Sequence, residues 1–317
     1  MSTISLAVYE IVIYKKNGSV KNGENISDYN NGCDLITLFK NLPSYLSVGS
    51  SNVAVVDIED SKKRLRINSK EFKPFGRCIS GEIETGDYGV ENKIVDKEGN
   101  DAGTKNKDHA AMFPFYFLCD LEKNSTRSIL LLQRFSQYGI YTILSTILKK
   151  EFEKQNPNYT IRISPLVSKK AIDAIIKGGT IKKISFKTAN PAQITHSVNT
   201  KNPSDYFNPS DVYCEYNIIA KRNKKVSLMN SITKLIGVDA KVSDYVTFKE
   251  FDYNEVKVVF DLNGKNQTIN LAHWQRFSPD IDITDKVRIN SSGFPENVDV
   301  QKAALELLDD IKEEMKK

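Results

Sequence analysis

Paired basic residues recur through the middle of this chain. Lys149-Lys150, Lys169-Lys170, Lys182-Lys183 and the run Lys221-Arg222-Asn223-Lys224-Lys225 are short clusters set in patterned sequence, not in a polar tail. From Lys149 to Lys241 the chain holds 17 Lys/Arg against seven Asp/Glu, a surplus of ten, although its net charge is only +5. The remainder is therefore near −5, with Asp280, Asp282, Asp285 and the C-terminal segment contributing. Lysine ammonium groups are point charges that suit phosphate contact; they give affinity and register but read few bases. Arginine forks that read guanine edges are scarce, with only Arg162 and Arg222 in that stretch. The expected partner is double-stranded DNA, bound independently of sequence. The candidate contacts are Lys149, Lys150, Lys182, Lys183, Lys187, Lys221, Arg222, Lys224 and Lys225, with Arg134 at a strand end beside the basic helix. Lys149, Lys182 and Lys224 are expected to share one groove-lining surface.

Two other chemistries compete. Glu255-Val256-Lys257 lies in an alternating run, with Asp244 and Asp252 upstream. A magnesium-dependent nuclease would use such carboxylates as metal ligands, and the lysine would stabilise developing charge. Positions two apart also share the wet face of any hairpin strand, so the same triplet fits an ordinary ion pair. Asp57-Ile58-Glu59-Asp60 reads as a solvated strand end. His109, His196 and His273 stand in no nucleophile signature. Cys33, Cys78, Cys119 and Cys214 are too dispersed for a zinc framework, and no cofactor is expected. Gly178-Gly179 follows a helical pattern, whereas a phosphate cradle precedes one. The third class is a protein-interaction module that recognises an acidic phage protein.

The elements that must position these residues are legible from periodicity. Leu6 to Tyr14 reads as a strand and Lys15 to Gly32 as a polar loop. Asp34 caps a helix running through Leu46 with Leu35, Leu38, Phe39 and Leu42 on one face. Val53 to Asp57 and Arg64 to Ile67 form a strand pair, and Arg77 to Ile83 another strand. Residues 80–107 read as a long exposed loop. From Phe113 to Thr188 the pattern is strand, strand, helix, strand, helix, strand. Phe113 to Cys119 and Ser128 to Arg134 are buried strands, and Gln137 to Gln155 is a helix. Thr160 to Leu166 is a strand, Lys169 to Lys177 a helix, and Thr180 to Thr188 a strand. Residues 190–209 are the linker candidate. Val212 to Ala220 then reads as a strand and Lys225 to Ile236 as a helix. Glu255 to Asp261 and Gln267 to Leu271 are a hairpin turned at Asn263-Gly264, and Val298 to Lys317 is a helix.

The length of 317 residues suits about two domains, and 40% hydrophobic residues support a real core. The expected class is α+β: a main domain over 1–188 with a mixed sheet and packed helices, a smaller helix–hairpin domain over 189–297, and a C-terminal helix over 298–317 that packs back or makes a dimer contact. The N-terminus lacks the pattern of a signal peptide and no apolar run approaches about twenty residues, so a cytoplasmic location is expected.

The order of elements resembles the phage lambda RexA-like exclusion protein family. Tyr9 to Tyr14, its polar loop and the Leu35 to Leu42 helix look like that family's opening. Phe113-Pro114, leading into two strands and a long helix, looks like its centre. Tyr159-Thr-Ile-Arg-Ile-Ser-Pro165, Ile181-Lys-Lys-Ile-Ser-Phe186 and the Leu228 to Gly237 segment continue the likeness. The resemblance covers most of the chain from about residue 6. It implies a non-enzymatic, sequence-independent DNA binder in phage exclusion. It also implies a homodimer, in which a globular and a smaller mobile domain embrace the duplex, and a membrane-acting effector encoded nearby. The insertions 15–32 and 80–107 depart from the family, and no residue-level motif transfers.

Overall fold

Between Ile4 and Ile13 both sets of alternate residues are largely apolar, which calls for cover on both faces of a strand. The computed structural model provides that cover. It describes residues 3–17, 23–47, 52–166, 180–188, 213–222, 224–226, 253, 255–262, 265–271 and 280–316. Two compact units are present, one of Met1–Leu166 with Asp280–Lys317 and one of Val167–Pro279. In chain order the first unit contains β1 (Ile4–Lys15), α1 (Leu35–Leu46), β2 (Val53–Ile58), β3 (Lys63–Asn68), β4 (Lys73–Phe75), β5 (Cys78–Asp87), β6 (Asn92–Val95), β7 (Asp101–Lys105), β8 (Phe113–Asp120), β9 (Ser128–Phe135), β10 (Tyr138–Gly139), α2 (Tyr141–Gln155) and β11 (Tyr159–Pro165). The second unit holds β12 (Thr180–Thr188), β13 (Cys214–Ile219), β14 (Glu255–Leu262) and β15 (Lys265–Asn270). The chain then returns to the first unit with β16 (Ile281–Asp282) and α3 (Asn297–Met315).

The first unit's large sheet runs β11-β1-β9-β8-β5-β3-β2, with β10 beside β9, β16 beside β1 and β4 beside β5. Ala7, Tyr9, Ile11 and Ile13 face a core shared with Phe115, Phe117, Leu130 and Leu132, which α1 and α2 cover. Ile4, Leu6 and Val8 face the other way, with Leu118, Ile129 and Leu131, against α3 through Val300, Ala304, Leu307 and Leu308. The C-terminal helix therefore packs back onto the sheet. The sheet's central strands are buried on both sides, and the period of two assigns each residue its layer.

Local chemistry fixes the ends. Asp34 accepts the Ile36 amide at 3.0 Å and so caps α1. The same carboxylate takes both terminal nitrogens of Arg77 at 2.7 and 3.0 Å, and Arg77 Nε reaches the Leu121 carbonyl. At the other end of the unit, Arg288 grips Asp299 in the first turn of α3.

The fold class is α+β, but four expectations change. The sheets are antiparallel rather than mixed: every strand pairing among the described residues is antiparallel, as short hairpin links such as β2–β3 and β8–β9 require. Residues 80–107 are not one loop. They supply most of β5, whose Ile79 and Ile83 are core residues, and then the exposed β6–β7 ribbon. The first unit ends at Leu166 and not at 188, because β12 bonds to β13 and β14 and so belongs to the second sheet. Lys225 and Val226 do not begin a helix; the Val226 amide instead bonds to the Ile181 carbonyl at 3.0 Å. The expected 169–177 helix, the 190–209 linker, the rest of the 225–236 helix and the 263–264 turn lie outside the described residues.

The second unit's sheet runs β13-β12-β14-β15. Ile184, Phe186, Val256, Val258, Phe260 and Ile269 are buried, so the residues alternating with them form the opposite, polar face.

Candidate nucleic-acid interface

Strand β12 carries three of the candidates, Lys182, Lys183 and Lys187. Its register with β14 shifts between Ile181 and Lys183, leaving Lys182 as the extra residue of a bulge. Adjacent strand residues normally point to opposite faces, yet here both lysines reach polar-face carboxylates. Lys182 Nζ lies 3.5 Å from Asp261, which follows the buried Phe260, and Lys183 Nζ lies 3.6 Å from Glu215. The Ser185 hydroxyl, with Lys183 and Lys257, holds the Glu215 carboxyl below its ordinary range. Lys187 stands on the same face, its ammonium 3.8 Å from the ring centre of Tyr213.

The basic run after β13 folds back onto this end of the sheet. The Ala220 amide bonds to the Lys182 carbonyl at 2.8 Å, Lys224 N–H closes a turn on Lys221, and Val226 is tied to Ile181. Lys221, Arg222, Lys224 and Lys225 are exposed. The backbone thus brings six cations, Lys182, Lys183, Lys221, Arg222, Lys224 and Lys225, to one end of a small sheet. Asp261 and Glu215 offset two of them. The four of the turn have no ion pair among the described residues.

The other candidates are arranged differently. Lys149 and Lys150 are exposed on α2, in the first unit, where acids interleave with bases. Glu153 lies 3.9 Å from Lys149 and 3.5 Å from Lys16 and accepts the Thr160 hydroxyl, while Lys154 lies 3.6 Å from Glu151. Arg134 is half-buried, and its Nη1 contacts both oxygens of Asp280 at 2.9 and 3.2 Å. Lys182 and Lys224 are thus neighbours as expected, whereas Lys149 belongs to the other unit.

The nuclease candidates do not assemble a metal cradle among the described residues. Glu255 lies 3.3 Å from Lys257 and accepts the Asn270 amide, the arrangement of a same-face ion pair. Asp244 and Asp252 lie outside the described residues. No group of three or more His, Cys, Asp or Glu side chains among the described residues is placed to hold a metal.

Sequence reasoning missed the counter-ions and one pocket. Asp261 and Glu215 are distant in sequence from the lysines they offset, and only the strand register pairs them. A pocket of about 230 Å³ opens at the start of α2, lined by Tyr9, Arg134, Gln137, Gly139, Tyr141 and Thr142 among others. Its one sequence signal was Arg134 at a strand end before a Gly and a helix.

Comparison of the chain with protein-family models and with curated proteins returns no match. No helix among the described residues is long and apolar enough to cross a membrane.

Proposed function

We propose that this chain binds double-stranded DNA through phosphate contacts, independently of base sequence and without cleaving it, and that it acts in phage exclusion. The observation that carries this reading is the exposed turn Lys221–Lys225. It is pinned by backbone hydrogen bonds beside Lys182 and Lys183, so that among the described residues six cations face two carboxylates. Ordered lysines at fixed spacing favour a polymer of phosphates over a scattered set of counter-ions. The mixed charge on α2 makes Lys149 and Lys150 secondary contributors, and Arg134 contributes least because Asp280 already engages it.

The resemblance to the RexA-like family extends this proposal to a cytoplasmic homodimer working with a membrane effector encoded nearby. Fluorescence anisotropy with two unrelated duplexes of equal length tests the binding claim. Equal affinities at each salt concentration are expected, and a preference of tenfold or more would overturn sequence independence. Supercoiled plasmid incubated with the protein and magnesium is expected to stay intact. Nicking that disappears in Glu255→Gln would establish the nuclease instead.

A further inference from the structure

The pocket at the start of α2 is built from the first unit alone, and of the proposed DNA contacts it holds Arg134, the weakest of them. Three groups of hydrogen-bond donors converge on it. Arg134 lies in its wall and spends only Nη1 on Asp280; Nε and Nη2 have no partner among the described residues. Its side chain packs against Gly139, where an added Cβ would sit 3.3 Å from Arg134 Cγ and press that side chain aside by a few tenths of an ångström. The second group is the opening turn of α2, a helix of 15 residues. Its first amides have no intrahelical acceptor, no side chain caps it, and its first turn holds no acidic residue.

The third group is Tyr9, which points independently to a ligand. Tyr9 is only 9% exposed, it lines the pocket, and its hydroxyl has no hydrogen-bond partner among the described residues. The side chain is held by packing while its hydroxyl oxygen stays open to solvent, so a ligand oxygen can take the place of water there. Burial pushes this phenol up to about 12, opposed by Arg134 and reinforced by Asp280, so it remains a neutral donor. Its ring stacks on Tyr141 at 4.3 Å and 9°, and the Tyr141 hydroxyl is already committed to the Ile163 carbonyl. The phenol of Tyr9 is therefore positioned by packing and left open in function.

We propose that this pocket is a receptor for a small phosphate group, held by Arg134, the Tyr9 hydroxyl and the first-turn amides of α2. Every donor named is an N–H or O–H, the complement of an oxyanion. The volume of about 230 Å³ lies below the roughly 300–1,000 Å³ of pockets for drug-sized ligands, which favours inorganic phosphate or a small phosphomonoester over a nucleotide. Asp280 is the opposing carboxylate. It holds the arginine in place and at the same time weakens the site's pull on an anion.

Isothermal titration with inorganic phosphate, and separately with glycerol 3-phosphate, at constant ionic strength tests the assignment. Saturable binding of one of them to the full chain is expected, and the tighter of the two identifies the source of the phosphate. Arg134→Gln should weaken it about tenfold or more, and Tyr9→Phe, which keeps the stacked ring, about fivefold. Asp280→Asn should tighten it. A variant with Lys221, Arg222, Lys224 and Lys225 all changed to Gln should bind phosphate as the parent does, which separates this site from the DNA surface. Absence of binding to either probe would overturn the assignment. Binding that survives both Arg134→Gln and Tyr9→Phe, or that vanishes in the four-site variant, would overturn it equally.

Discussion

Changing Lys221, Arg222, Lys224 and Lys225 together to Gln removes the four exposed cations of the turn without touching a buried side chain. Each phosphate neutralised contributes about 0.9 to the slope of log Kobs against log salt, so four contacts contribute about 3.6. Raising salt fourfold, from about 50 to about 200 mM, should then cost the parent about 150-fold more affinity than it costs the variant. The opposite change is also available. Asp261 and Glu215 each sit within 3.6 Å of a lysine of β12, so Asp261→Asn with Glu215→Gln frees two further cations. That double variant should steepen the slope by up to about 1.8. Anisotropy with a fluorescein-labelled duplex over five salt concentrations measures all three slopes. A four-site variant with the parent's slope would refute the assignment of phosphate contacts to the turn, whatever the absolute affinity. A shallower slope in the carboxylate variant would refute the account of Asp261 and Glu215 as offsetting charges.

Two further outcomes concern the scaffold. Leu131 and Leu132 are adjacent in β9 but belong to opposite cores, so Leu131→Ala and Leu132→Ala should each cost about 2–5 kcal/mol in urea unfolding; a negligible loss in one would mean that its face of the sheet is not covered. The Arg288 guanidinium and its backbone amide hold Asp299 down at about 2, from an ordinary 3.8. A depressed carboxylate contributes its share above the unfolded value and loses it as pH falls through the folded one. Carboxyl NMR should accordingly place the Asp299 midpoint near 2, and Arg288→Ala should return it to the ordinary range; an unchanged midpoint would exclude Arg288 as the cause.

Elements with strong local patterns were readable in the sequence. The Leu35 helix announced itself through Asp34 and four apolar residues on one face, and the two-sided burial of β8 and β9 through their unbroken apolar runs. The β6–β7 ribbon was not readable as strand, because its short strands are almost wholly exposed and show no apolar alternation. The signal present was Ile94-Val95 before a turn in which Gly99 adopts φ +90°. The unit boundary was misplaced because β12 mixes apolar and polar residues much as β11 before it does. Its membership is decided by pairing with β13 and β14, which local sequence does not encode. The candidate surface was half legible. Cations could be counted, but their counter-ions could not, since Asp261 meets Lys182 only through a bulge. The start of α2 was read at Gln137, whereas Ser136 at φ +53° turns the chain so that Tyr138 and Gly139 pair back onto β9. That tight return is what creates the pocket beside Arg134.

Lysine acetylation footprinting, read by mass spectrometry with and without saturating duplex DNA, tests the proposed surface most directly. Lys221, Lys224 and Lys225 should be strongly protected by DNA, with partial protection at Lys182, Lys183 and Lys187. Exposed lysines of the β6–β7 ribbon, such as Lys93 and Lys97, should react equally in both samples. Full reactivity of Lys221, Lys224 and Lys225 in a sample shown to be DNA-bound would contradict the account.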